Sequence, residues 1–175
     1  MGWFDWLVTG HEAPTTDATE VVQRIAALLE GLEPEHARYL GAFAYLLARV
    51  AHIDNELTEA EVGAMRALLA REGDVEAHDA HVVVDLAQAL SRAERGTEDF
   101  RVAREFSRIA TREQQLGLIR CLFAVAAADA TVSLAEDNEI RRVTQELGIE
   151  HEDFIRARLA VREHLSVTRP PARAR

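Results

Sequence analysis

Residues Gln115–Glu139, QLGLIRCLFAVAAADATVSLAEDNE, read as an apolar helix, a short acidic loop and a second helix opened by a Ser–Glu pair. The same plan occurs earlier, at Tyr39–Ala64, YLGAFAYLLARVAHIDNELTEAEVGA. A shift of 75 positions sets Asp54 on Asp129, Leu57 on Val132, Thr58 on Ser133 and Glu61 on Glu136, and it carries Gly73 onto Gly148. A unit that recurs at a fixed period decides an architecture before any local propensity does, because each copy needs a neighbour to bury its apolar face. The expectation is an all-α protein, a single domain of seven to eight helices built on an internal helix–loop–helix duplication.

Composition agrees. Alanine is abundant, glycine and proline are few and aromatic residues make up 6% of the 175, a balance that favours helix over sheet. At this length one domain buries roughly 68–70% of its chain surface. The single Cys121, set among Leu118, Leu122 and Phe123, excludes an internal disulfide and reads as a small buried hydrophobe. A formal charge of −10 argues against non-specific nucleic-acid binding, which needs a basic footprint. The longest apolar run, Leu116–Ala128, contains Arg120 and is shorter than the roughly 20 residues of a spanning helix, so the chain is not expected to be transmembrane. No secretory pattern opens the sequence, and a cytoplasmic location is expected.

Taken in order, the chain begins with Trp3, Phe4, Trp6, Leu7 and Val8, of which Trp3, Trp6 and Leu7 share one helical face. This face either folds onto the core or anchors to a partner or membrane interface. Capping signals then mark helices at Ala18–Leu32 (Asp17 with Glu20), from Pro34 to about Ile53, and at Glu59–Glu72 (Thr58 with Glu61). Further helices are expected at Val75–Arg95, at Glu98–Ala110 after Thr97, and from Thr111 with Gln114. Ser133 with Glu136 opens a helix ending at Gly148, and the last runs about Glu150–Leu165. Residues 168–175, with Pro170-Pro171 and three arginines, are expected to be disordered.

The candidate chemistry lies at Asp54, Glu61, Asp129 and Glu136. The glutamates have an ordinary use: a carboxylate three residues after a Ser or Thr cap accepts the cap's backbone N–H and meets the positive helix end. The aspartates are odder, because each follows an apolar helix where the dipole is negative, and a carboxylate there is disfavoured by about 0.3–1 kcal/mol. An Asx-turn would compensate; so would a divalent cation (Ca²⁺, Mg²⁺, Mn²⁺ or Zn²⁺) held by carboxylate oxygens. The Asp–Glu spacing is too short for an EF-hand loop. Second candidates are His78, His81 and Asp85 on one face of the helix expected at Val75–Arg95, and a stripe of Arg101, Arg104, Arg108 and Arg112 that reads as a solvated face or a dock for an acidic partner. GxSxG, Walker, dinucleotide-glycine, CxxC and HExxH patterns are all absent, and an enzyme is not expected.

The loop segments AHIDNELTEAE and AAADATVSLAE resemble the doubled loop of the TerB family, and IRRVTQELGIEHEDF is similar to that family's ending. The opening WFDWL is similar to the aromatic–Asp start of some members, so the likeness covers roughly residues 1–154. Asn55 and Ala130 stand where the family often has glycine. The resemblance implies an all-helical, internally duplicated domain, tied in bacteria to tellurite resistance and related stress responses. It implies no catalytic role, cations held at the acidic loop positions Asp54, Glu61, Asp129 and Glu136, and protein partners that include membrane-associated ones. Related domains serve as interaction modules at the front of a DnaJ-like co-chaperone. On this reading residues 1–16 are an aromatic N-terminal segment and linker, 17–167 the helical domain and 168–175 a tail.

Overall fold

The computed structural model describes residues 28–51, 59–72, 76–91, 99–127 and 132–168. The aromatic N-terminus, residues 18–27 of the helix expected at Ala18–Leu32, the caps at Asp17, Thr58 and Thr97, and residues 169–175 of the tail expected at 168–175 lie outside the described residues. Within them stand seven helices and no strand: α1 Pro34–Ala51, α2 Glu59–Glu72, α3 Ala77–Ser91, α4 Asp99–Ile109, α5 Arg112–Ala126, α6 Leu134–Glu146 and α7 His151–Thr168. The last outruns its expected end at Leu165.

Local chemistry sets the helix ends. Pro34 opens α1, where a missing N–H costs nothing. Thr111 caps α5: its Oγ1 accepts the Gln114 N–H, and the Gln114 side chain accepts the Thr111 N–H at 2.8 Å. At the end of α6 the chain turns through Gly148, φ +67°, where the Gly148 and Ile149 N–H groups return to the carbonyls of Gln145 and Thr144. That paired bonding is a Schellman motif, and its left-handed residue favours glycine.

The 75-residue shift survives in three dimensions. It carries the end of α1 at Ala51 onto the end of α5 at Ala126, and the start of α2 at Glu59 onto the start of α6 at Leu134. Buried positions follow it: Phe43 matches Leu118, Leu47 matches Leu122, Met65 matches Ile140 and Leu69 matches Thr144. It also lays α3 within α7, so the repeated unit has three helices where the sequence comparison stops at two. The intervening α4 packs on α1 and α6.

Packing is crosswise. Helices α1 and α5 lie against each other at the centre, each with its own third helix, α3 or α7, beside it. Helix α2 packs on α5 of the other copy and on its own α3, while α6 packs on its own α5 and also touches α1 of the other copy. This explains why α1 and α5 are apolar around most of their circumference: both are covered from several sides. Tyr39 and Phe43 of α1 meet Phe106 of α4 at centroid distances of 5.7 and 5.9 Å, and Phe123 meets Phe154 at 5.2 Å. Each such fully buried side chain contributes about 1.5–3 kcal/mol.

Candidate functional site

The four acidic positions are described unequally. Asp54 and Asp129 lie outside the described residues; Glu61 has its backbone in α2 but its side chain outside them. Glu136 is described fully. It occupies the third position of α6, 6% exposed, with Oε2 accepting the Ser133 N–H at 2.7 Å while its own N–H donates to Ser133 Oγ at 3.2 Å. The expected capping box is therefore formed. A carboxylate offers about four acceptor positions, so capping and cation ligation are chemically compatible in one side chain.

Close to the same helix lies a cluster that the sequence does not announce. Arg49, in the last turn of α1, has a side chain only 1% exposed. Its Nε donates to Glu139 Oε1 at 2.8 Å, with Nη2 2.6 Å from that oxygen, and its Nη1 donates to Glu146 Oε2 at 2.7 Å. Both glutamates belong to α6, two turns apart on one face. Arg142, on the exposed side, sits 3.3 Å from Glu146 Oε1. The end of the first copy's first helix is thus tied by charge to the second copy's second helix. A second buried carboxylate, Asp137, pairs with Arg141 at 3.2 Å and Arg158 at 3.3 Å. The Arg141 guanidinium also lies over the Phe154 ring at 4.8 Å.

The helical face of His78, His81 and Asp85 does not assemble a ligand set. His78 and His81 are exposed on α3, while Asp85 turns to Arg66 of α2 at 3.0 Å. Among the described residues, no group of three or more His, Cys, Asp and Glu side chains is placed to hold a metal ion. The arginine stripe is partly neutralised locally: Arg108 pairs with Glu105 at 3.1 Å and Arg112 with Asp153 at 2.7 Å. Phe100, 57% exposed, lies on the same helix as Arg101 and Arg104.

An open cleft of about 710 Å³ lies where α1, α3 and α5 begin and α4 ends, lined by Glu35, His36, Tyr39, Glu76, Asp79, Arg108, Ile109 and Gln114. Its central contact is His36 Nε2 to Asp79 Oδ2, 2.8 Å, joining the first turns of α1 and α3. Carboxylates at Glu35 and Asp79 suit the positive ends of those helices. Among the described residues no helix is long and apolar enough to cross a membrane.

A family model described as Tellurite resistance protein TerB matches residues 40–159, a span that runs from α1 into α7 and contains both copies. No curated protein matches the chain. No solved structure matches it either.

Proposed function

This chain belongs to the TerB family, matched from Leu40 to Leu159, and from that premise we propose that it is a non-enzymatic stress-response module of the tellurite-resistance type that binds a divalent cation at its two acidic loops. Asp54, Glu61, Asp129 and Glu136 are the proposed ligands, all hard oxygen donors of the kind that Ca²⁺, Mg²⁺ and Mn²⁺ prefer and that Zn²⁺ accepts. The observation that carries this reading is the crosswise pairing of the copies. With α2 on α5, and Arg49 near the end of α1 on α6, each copy's second helix meets the other copy's first, an arrangement that favours two loops acting together. Glu136, already oriented by Ser133, is the ligand held most firmly.

The test is thermal unfolding with and without each cation. A ligand that prefers the folded state stabilises it by about 2.7 kcal/mol at a hundredfold excess over Kd. The melting temperature should rise with at least one cation, and Asp54→Ala with Asp129→Ala should abolish the rise. No rise at millimolar concentration with any of the four sinks the proposal.

A second reading draws on the exposed Phe100 beside Arg101 and Arg104: a metal-free adaptor docking proteins of the stress-response system, membrane-associated ones included, through α4 or the aromatic segment around Trp3 and Trp6. Its test is partner capture after Phe100→Ser with Arg104→Glu, and after deletion of residues 1–9. Unchanged recovery in both variants removes it.

A further inference from the structure

The two sides of α4 differ in chemistry. Val102, Ala103, Phe106 and Ala110 are buried, and this side packs on α1 and α6. The other side carries Phe100, Arg101, Arg104 and Arg108, all exposed, and Arg112 at the start of α5 is exposed as well. Phe100, Arg104 and Arg108 follow one another at intervals of four, so they stand in a row along the helix.

Local ion pairs do not cancel the charge of this surface, because the carboxylates lie deeper than the guanidiniums. The Glu105 side chain is 31% exposed against 72% for Arg108, and Asp153 is 20% exposed against 45% for Arg112. Asp153 is also shared: its Oδ2 accepts from Arg112 at 2.7 Å and its Oδ1 from Arg156 at 2.9 Å. At the rim the order reverses, with the exposed Glu152 3.5 Å from Arg156. An approaching group therefore meets guanidiniums and an aromatic ring, and both kinds of side chain are enriched at protein interfaces.

Range decides which class of partner fits. The chain as a whole carries a formal charge of −10, so a long polyanion such as nucleic acid, or an anionic membrane, is repelled by most of the surface it would cover. A short segment is not. At physiological ionic strength charges are screened beyond about 8 Å, and the 11 residues of α4 span about 16 Å. A segment lying along α4 senses chiefly its arginines.

Building on the adaptor reading of α4, on which this rests, we propose that the row docks an acidic segment of a partner protein. Asp or Glu side chains of the partner pair with Arg104, Arg108 and Arg112, and an apolar side chain covers Phe100. The guanidinium fork fixes orientation. Phe100 supplies the apolar burial that exposed ion pairs lack.

The test titrates the full chain against a fluorescein-labelled peptide of repeated Glu-Glu-Leu, read by fluorescence anisotropy, beside the same peptide with Gln for every Glu. The Glu peptide should bind, about tenfold more weakly to Arg104→Glu and less tightly to Phe100→Ser, and added salt should weaken the wild-type complex. His78→Glu with His81→Glu, on exposed positions of α3, makes the same change of two charges with the histidines counted neutral. That variant should stay within about twofold of wild type. Equal binding of the Gln peptide, no binding of the Glu peptide at about 1 mM, or an equal loss in the α3 variant overturns the proposal. So does tighter binding to duplex DNA or to phosphatidylserine vesicles. Partner capture separates this from the adaptor reading. If the Glu peptide fails while Phe100→Ser with Arg104→Glu loses its partners, α4 remains a dock and the acidic partner is ruled out. If the peptide binds while recovery is unchanged in both capture variants, the preference for acid stands and the adaptor role falls.

Discussion

Removing the guanidinium of Arg49 while keeping much of its aliphatic bulk, as Arg49→Met does, leaves the Glu139 and Glu146 carboxylates facing apolar surface. Breaking a buried ion pair by deleting one partner costs about 3–5 kcal/mol. Two features place this site at the low end. The glutamate side chains are 21% and 10% exposed, so water reaches them in part. Arg142 also remains 3.3 Å from Glu146. A loss of about 3 kcal/mol is expected, and for a chain of this length each kcal/mol shifts the melting temperature by about 2–4 °C, which gives a fall of about 6–12 °C. Urea unfolding should show a lower midpoint with an unchanged slope, the sign of altered stability rather than altered compactness. Adding Glu139→Gln and Glu146→Met should recover most of the loss. If Arg49→Met alone stays within about 0.5 kcal/mol of wild type, as an ordinary surface substitution does, the cluster does not hold α1 to α6 as described.

Ser133→Ala removes the Oγ that receives the Glu136 N–H and should cost about 1 kcal/mol in urea unfolding. Gly148→Ala meets no steric obstacle, since nothing lies within 4 Å of the added Cβ, so its cost is the left-handed backbone alone, about 1–2 kcal/mol by the same assay. Leu122→Ala, at the centre of α5 and 0% exposed, should cost about 2–5 kcal/mol. Replacing both His78 and His81 by Ala should leave the melting temperature in Zn²⁺ within about 1 °C of wild type under the same conditions, because Asp85 is engaged by Arg66 and no ligand set of three forms among the described residues.

What the sequence reveals follows from how locally each feature is encoded. Caps are local: Thr111 and Ser133 with a partner three residues on, and Pro34 and Gly148 at helix ends, are legible because backbone geometry at a single turn demands them. The duplication is legible for a related reason, since Asp54 and Asp129, Thr58 and Ser133, and Glu61 and Glu136 recur at one shift just after two apolar helices. Its third helices are not. There the shift sets Asp79 on Phe154 and Val83 on Arg158, and only backbone position is preserved. The Arg49 cluster shows the limit from the other side. A charged residue inside the apolar run LLARVA is visible at once, but its partners lie 90 and 97 residues away and no periodicity points to them. Asp85 teaches the converse: its spacing from His78 and His81 suits a metal, yet a neighbouring helix supplied Arg66 instead. Of the acidic loop residues, Glu136 takes the capping role its spacing from Ser133 requires.

The most direct test of a cation held between the copies is calorimetric titration of the full chain with Ca²⁺, Mg²⁺, Mn²⁺ and Zn²⁺ in turn. Saturable heat with at least one ion, lost on Asp54→Ala with Asp129→Ala while the helical signal persists, is the predicted result. Flat titrations for all four, or the same heat in the double variant, would contradict it.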